Sequence, residues 1–129
     1  YYSGWEADYY RTVDYIFASV PAEKIVWISL GCFRFMPALK SIIEKRFPNT
    51  RFIYEEFIKG RDNKLRYLKH LRIHIYKKMA DRIRRHSGTV FIYLCMESEE
   101  VWRKAFGYTP RRFGSLARGL DWQVFPRSP

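Results

Sequence analysis

The chain has 129 residues, 47% of them hydrophobic and 19% aromatic, which fits at most one globular domain with a real core and excludes intrinsic disorder. Its 24 Lys+Arg against 13 Asp+Glu give a net charge of +11, an excess that attracts the phosphates of nucleic acid or of an anionic membrane without choosing between them. No apolar run approaches the roughly 18 residues of a membrane span and no signal peptide is visible, while the two cysteines, Cys32 and Cys95, are too few for a disulfide framework and point to a reducing cytoplasm.

The opening "YYSGWEADYY" has no initiator Met and runs straight into helical periodicity, so a piece of a larger protein is expected. Ser3 and Glu6 read as a capping box. Trp5, Tyr9, Val13, Ile16 and Phe17 then share a helical face to about Ala18, and Val20-Pro21 breaks it. Ile25 to Leu30 is an apolar, β-branched run, as expected of a strand covered on both faces, and Gly31 ends it. A second helix fits Pro37 to Phe47, with Leu39, Ile42, Ile43 and Phe47 as its stripe. Arg51 to Tyr54 reads as a short strand. Gly60 to Asn63 is a turn cluster, and Leu65 to Leu68 reads as the return arm of a hairpin.

A long helix is predicted from Leu71 to Arg85, with Leu71, Ile75, Met79 and Ile83 on one face and Tyr76 beside them. Val90 to Met96 is a buried-type strand. Ser98 caps a last helix whose first turn carries Glu99 and Glu100, matched to the positive end of the helix dipole. From Tyr108 the chain is rich in Pro, Gly and Arg without periodicity, and a flexible tail is expected. This order describes an α/β protein with parallel pairing, in a sheet or a barrel.

Candidate chemistry is sparse. Cys32, just past a strand, could serve as a nucleophile, but Arg34 supplies charge and no base, so a small buried or rim residue is the simpler reading. Cys95 lies inside an apolar strand and reads as structural. His70 and His74 have helical zinc-site spacing, yet cations crowd them and no carboxylate or thiol completes a set. No Gly-rich phosphate loop is present. The richest stretch is "KGRDNKLRYLKHLR", where Lys59, Arg61, Lys64, Arg66, Lys69 and Arg72 surround Tyr67. Cations suit phosphates and a tyrosine ring suits base stacking, although a charge run is more often a solvated face.

Several stretches carry a resemblance: Gly4-Trp5-Glu6 opening a helix, the strand Ile25 to Leu30, Arg34-Phe35, the helix to Phe47-Pro48, the hairpin with Arg66-Tyr67, and "VFIYLCMESEEVWRKAFG". Together they resemble the C-terminal half of the spore photoproduct lyase group of radical S-adenosylmethionine enzymes, also called DNA repair photolyases, over Tyr1 to about Gly107. The resemblance implies the C-terminal part of a partial (β/α)6 TIM-like barrel for residues 1–107, with a basic β-hairpin and a C-terminal strand–helix extension, and a basic tail at 108–129. It implies a lyase-type parent that cleaves S-adenosylmethionine at a [4Fe–4S] cluster and abstracts hydrogen from a thymine-dimer lesion. The cluster loop, CxxxCxxC, is absent, and Cys32 and Cys95 lie 63 positions apart. Cluster and S-adenosylmethionine are therefore expected in a missing N-terminal part of the same protein, and this chain alone is expected to hold neither.

By the same resemblance, Arg66 and Tyr67 are the lesion-facing hairpin positions, Lys69 and Arg72 are phosphate contacts on DNA, and Arg34 lies on the active-site rim. The family's glycine-rich hairpin sequence is replaced here by "LKHLRIHIY", which leaves the particular lesion open. A non-enzymatic basic α/β module that binds nucleic acid remains an alternative, as does a remnant with structural value only.

Overall fold

The computed structural model describes residues 4–114. Its centre is a parallel pair, β1 (Trp27–Leu30) beside β5 (Phe91–Leu94), in the register Trp27↔Phe91 to Leu30↔Leu94. A parallel pair needs a long crossover, which the intervening elements supply. β5 is the buried strand its apolar run predicts, with Phe91, Ile92 and Leu94 in the core. β1 differs from expectation, because its outward residues stay in solvent and Trp27 is 43% exposed. The reason is that, among the described residues, the helical core covers only the face of β1 that bears Ile28 and Leu30.

Those helices are α1 (Trp5–Ser19) and α3 (Lys69–His86), which pack Trp5, Val13, Met79 and Ile83 against Val90 and Ile92. Ile83 has no exposed surface, and such burial is worth about 1.5–3 kcal/mol. The buried stripe of α3 is Arg72, Tyr76, Met79 and Ile83. It is rotated from the predicted stripe, so Leu71 and Ile75 are only half-buried. α4 (Glu99–Phe106) starts as predicted: the Val101 N–H donates to Ser98 Oγ at 3.4 Å. It ends at Gly107, whose φ of 79° is one that glycine adopts without a Cβ penalty. Val101 and Trp102 close a second core with Tyr76 and Leu94.

The remaining strands form an antiparallel sheet in the order β2 (Arg34–Phe35), β4 (Leu65–Tyr67), β3 (Phe57–Lys59). The expected hairpin is present, and its turn is closed by the Gly60 N–H donating to the Lys64 carbonyl at 2.9 Å. One face of this sheet is aromatic: Phe35 and Tyr67 flank Phe57, each with ring centroids 5.1 Å from it. The opposite face carries Arg34 and Arg66, which are directly opposed across β2–β4.

Three expectations are corrected. Residues Phe52–Tyr54 form a single 3-10 turn around the buried Ile53, not a strand. The second helix is a 3-10 turn (Pro37–Leu39) leading into α2 (Lys40–Arg46), and Leu39, Ile42 and Phe47 remain exposed because its main packing is against two short turns, Pro37–Leu39 and Phe52–Tyr54. Past Gly107, Pro110–Phe113 forms a 3-10 turn, with Phe113 against Phe91 at 5.1 Å and Arg111 bonded to Glu99 at 2.7 Å. The proposed Ser3 cap and residues 115–129 of the tail lie outside the described residues. The described strands make two small open sheets and no closed barrel.

Candidate nucleic-acid interface

β2 follows β1 directly, so the antiparallel sheet stands at the carboxyl end of the parallel pair, where open α/β sheets place ligands. Cys95 continues β5, its N–H donating to the Leu30 carbonyl at 2.8 Å. Arg34 reaches back over this edge and donates to the Cys95 carbonyl at 3.0 Å, with the Cys95 Sγ 3.5 Å away. No carboxylate pairs with Arg34 among the described residues.

Beneath this edge lies a closed polar cluster. Arg72 is 5% exposed, and its guanidinium donates from Nε to Glu97 Oε1 at 2.9 Å and from a terminal nitrogen to Glu97 Oε2 at 3.3 Å. Its other terminal nitrogen donates to the Tyr67 carbonyl. Tyr76 donates its hydroxyl to Glu97 Oε1 at 2.8 Å and accepts the Cys32 N–H at 3.0 Å. The cluster thereby ties the end of β1, the end of β4, α3 and the residue after Met96 into one network. Burial drives the Tyr76 phenol well above its usual range, so it remains a neutral donor.

The residues expected to contact DNA therefore divide. Arg72 is a buried, bidentately paired cation and offers no free fork to a phosphate. Tyr67 is 5% exposed and stacks on Phe57, and burial pushes its phenol up to about 12. Lys69 is half-exposed and pairs with Glu100 at 2.6 Å. Arg66, 15% exposed, pairs with Asp62. By contrast Lys59, Arg61 and Lys64, around the hairpin turn, have no ion-pair partner among the described residues. They lie in the stretch the sequence singled out, but they are not the members it favoured.

Cys32 does not read as a nucleophile, because burial raises its thiol to about 11 and keeps it protonated. It lines an apolar groove of about 310 Å³ between α1 and α3, with Trp5, Tyr9, Val13, Ile75 and Met79. His74 lies 3.7 Å from Glu6 and edge-on to Trp5, while His70 is exposed. No group of three metal-ligating side chains occurs among the described residues. A [4Fe–4S] cluster held by three cysteines does not fit a chain with two, so no step of such chemistry is assigned to this chain.

Sequence reasoning missed Glu97 and the role of Tyr76. Glu97 carried no local signal, since its partners Arg72 and Tyr76 lie 25 and 21 positions away. No family model, curated protein or solved structure matches the chain.

Proposed function

We propose that this chain is the C-terminal portion of a spore-photoproduct-lyase-like radical S-adenosylmethionine protein, and that it contributes a DNA-contacting hairpin. The observation that carries the reading is the trio Lys59, Arg61 and Lys64, cations without carboxylates, on a hairpin at the carboxyl end of a parallel strand pair. The stretches that carry the resemblance also fall on coherent elements. Gly4-Trp5-Glu6 opens α1, Arg34-Phe35 forms β2, and Arg66-Tyr67 lies in β4.

In this reading β1 and β5 are neighbouring strands of the partial barrel, and the cluster and S-adenosylmethionine belong to the rest of the parent. The hairpin turn holds the backbone of a duplex while a damaged nucleotide is extruded, which is cheapest where the lesion has already weakened stacking. Tyr67 and Arg72 act from below, fixing the hairpin to the core, rather than touching DNA.

Fluorescence anisotropy with a labelled duplex tests the DNA contact. The expected result is binding that weakens steeply between about 50 and 200 mM salt, with log–log slope falling by about 0.9 for each phosphate contact removed. Replacing Lys59, Arg61 and Lys64 together by Gln should weaken binding at least tenfold. Unchanged binding in that variant overturns the reading of the hairpin. The reading frame ahead of Tyr1 tests the parent: a CxxxCxxC segment supports the enzyme, and a start codon immediately before Tyr1 supports the alternative, a self-standing nucleic-acid-binding module.

A further inference from the structure

The β2–β4 register places Arg34 and Arg66 as a directly opposed pair on one face of the sheet. Like charges in that position repel, and partial burial strengthens the repulsion. The pair has one counter-charge, Asp62 on Arg66, whereas Arg34 commits only part of its N–H donors, to the Cys95 carbonyl and thiol. One positive charge is thus uncompensated. Arg66 Nε adds a second deficit, being buried without a hydrogen-bond partner. Gly60 holds this guanidinium in place: a Cβ there would stand 2.8 Å from Arg66 Cζ and 2.9 Å from its Nε.

We infer that Arg34 and Arg66 form a binding site for one phosphate-type oxyanion, seated across the β2–β4 pair. A guanidinium offers planar donors that match phosphate oxygens in pairs, and a tetrahedral anion can meet two forks at once. The anion supplies the missing negative charge, and it draws on the terminal N–H groups of the two guanidiniums that these contacts leave unspent. The neighbouring turn cations Arg61 and Lys64 raise the local positive potential and favour phosphate over a carboxylate. Arg72 cannot join, because Glu97 already occupies its fork. The site stands on strand register and charge count. Only its ligand's source, a DNA backbone phosphate rather than free phosphate, rests on the functional reading above.

The test follows the arginine Nε–Hε signals of the full 129-residue chain by nitrogen-15 NMR as inorganic phosphate replaces chloride at constant ionic strength. The Arg34 and Arg66 signals should move together along one saturating curve, while those of Arg72 and of the exposed Arg85 stay still. Arg34→Gln should weaken phosphate at least tenfold, and Arg34→Lys should fall between it and the unchanged chain. Signals that drift without saturating, or that move equally with acetate, overturn the site. If phosphate saturates the site and competes with a DNA duplex for the same two signals, the ligand is a backbone phosphate. If phosphate saturates it but a bound duplex leaves both signals unmoved, the anion site stands and its link to DNA fails. If phosphate has no effect yet the duplex still binds through the hairpin turn, the anion site fails and the DNA reading stands.

Discussion

Arg72 and Arg34 lie on either side of the same strand ends, and the protein uses them in opposite ways. Arg72 is buried with a carboxylate that is itself only 4% exposed, so both charges are satisfied inside the fold. Arg34 is half-buried at the rim, bonded to a carbonyl and a thiol, and keeps its charge uncompensated. A basic composition therefore does not translate into a basic surface residue by residue. On the long helix, Arg72 and Arg82 are bound to Glu97 and Asp14. On the hairpin and its rim, Lys59, Arg61, Lys64 and Arg34 pair with no carboxylate among the described residues, and these are available to a ligand.

The largest effect should come from breaking the closed side of this comparison. Arg72→Ala leaves Glu97 charged and buried, at a cost of about 3–5 kcal/mol, measured as a lowered urea midpoint. Arg34→Gln loses a hydrogen bond at the rim and should cost only about 0.5–1.5 kcal/mol. Equal losses would erase the distinction between the two arginines. Tyr76→Phe should come next, at about 1–3 kcal/mol, because the buried Glu97 loses a donor and the Cys32 N–H loses its acceptor.

Acid tests the pairs between these extremes. Arg82 and then His86 hold the Asp14 carboxyl at about 2, and Lys69 and Lys104 do the same for Glu100. Both folded values lie below the unfolded ones of about 4. Their stabilisation is thus complete above about pH 4 and disappears as pH falls toward 2. Thermal melts across that window should show a smaller pH dependence in Asp14→Asn. Smaller still, Cys32 should resist alkylation near neutral pH in the folded chain and react once urea exposes it, since burial holds its thiol at about 11. Gly60→Ala should change stability by less than about 0.5 kcal/mol, because it displaces only the side-chain ends of Arg66 and Asp62, yet it should move the Arg66 Nε–Hε signal.

What could be read from the sequence was what short range determines. The Ser98 cap and the hairpin turn at Gly60 to Asn63 are set by residues within a few positions of one another. The parallel pairing followed from the order of elements. What could not be read depended on what covers each residue. The apolar run at Ile25 to Leu30 looks the same whether one face or two are packed, and only an element laid on the face that bears Trp27, absent among the described residues, would bury that side chain. Likewise Tyr67 and Arg72 sat in a stretch that suited DNA contact. Their burial was decided by Phe57 and Glu97, which act from other elements.

The most direct test of the account is a single titration of the full chain with a DNA duplex, read on the arginine side chains. The account predicts that the Arg61, Arg34 and Arg66 signals shift with added duplex while those of Arg72 and Arg82 do not. A shift of the Arg72 signal to the same extent, or no shift at any arginine of the hairpin and its rim, would contradict it.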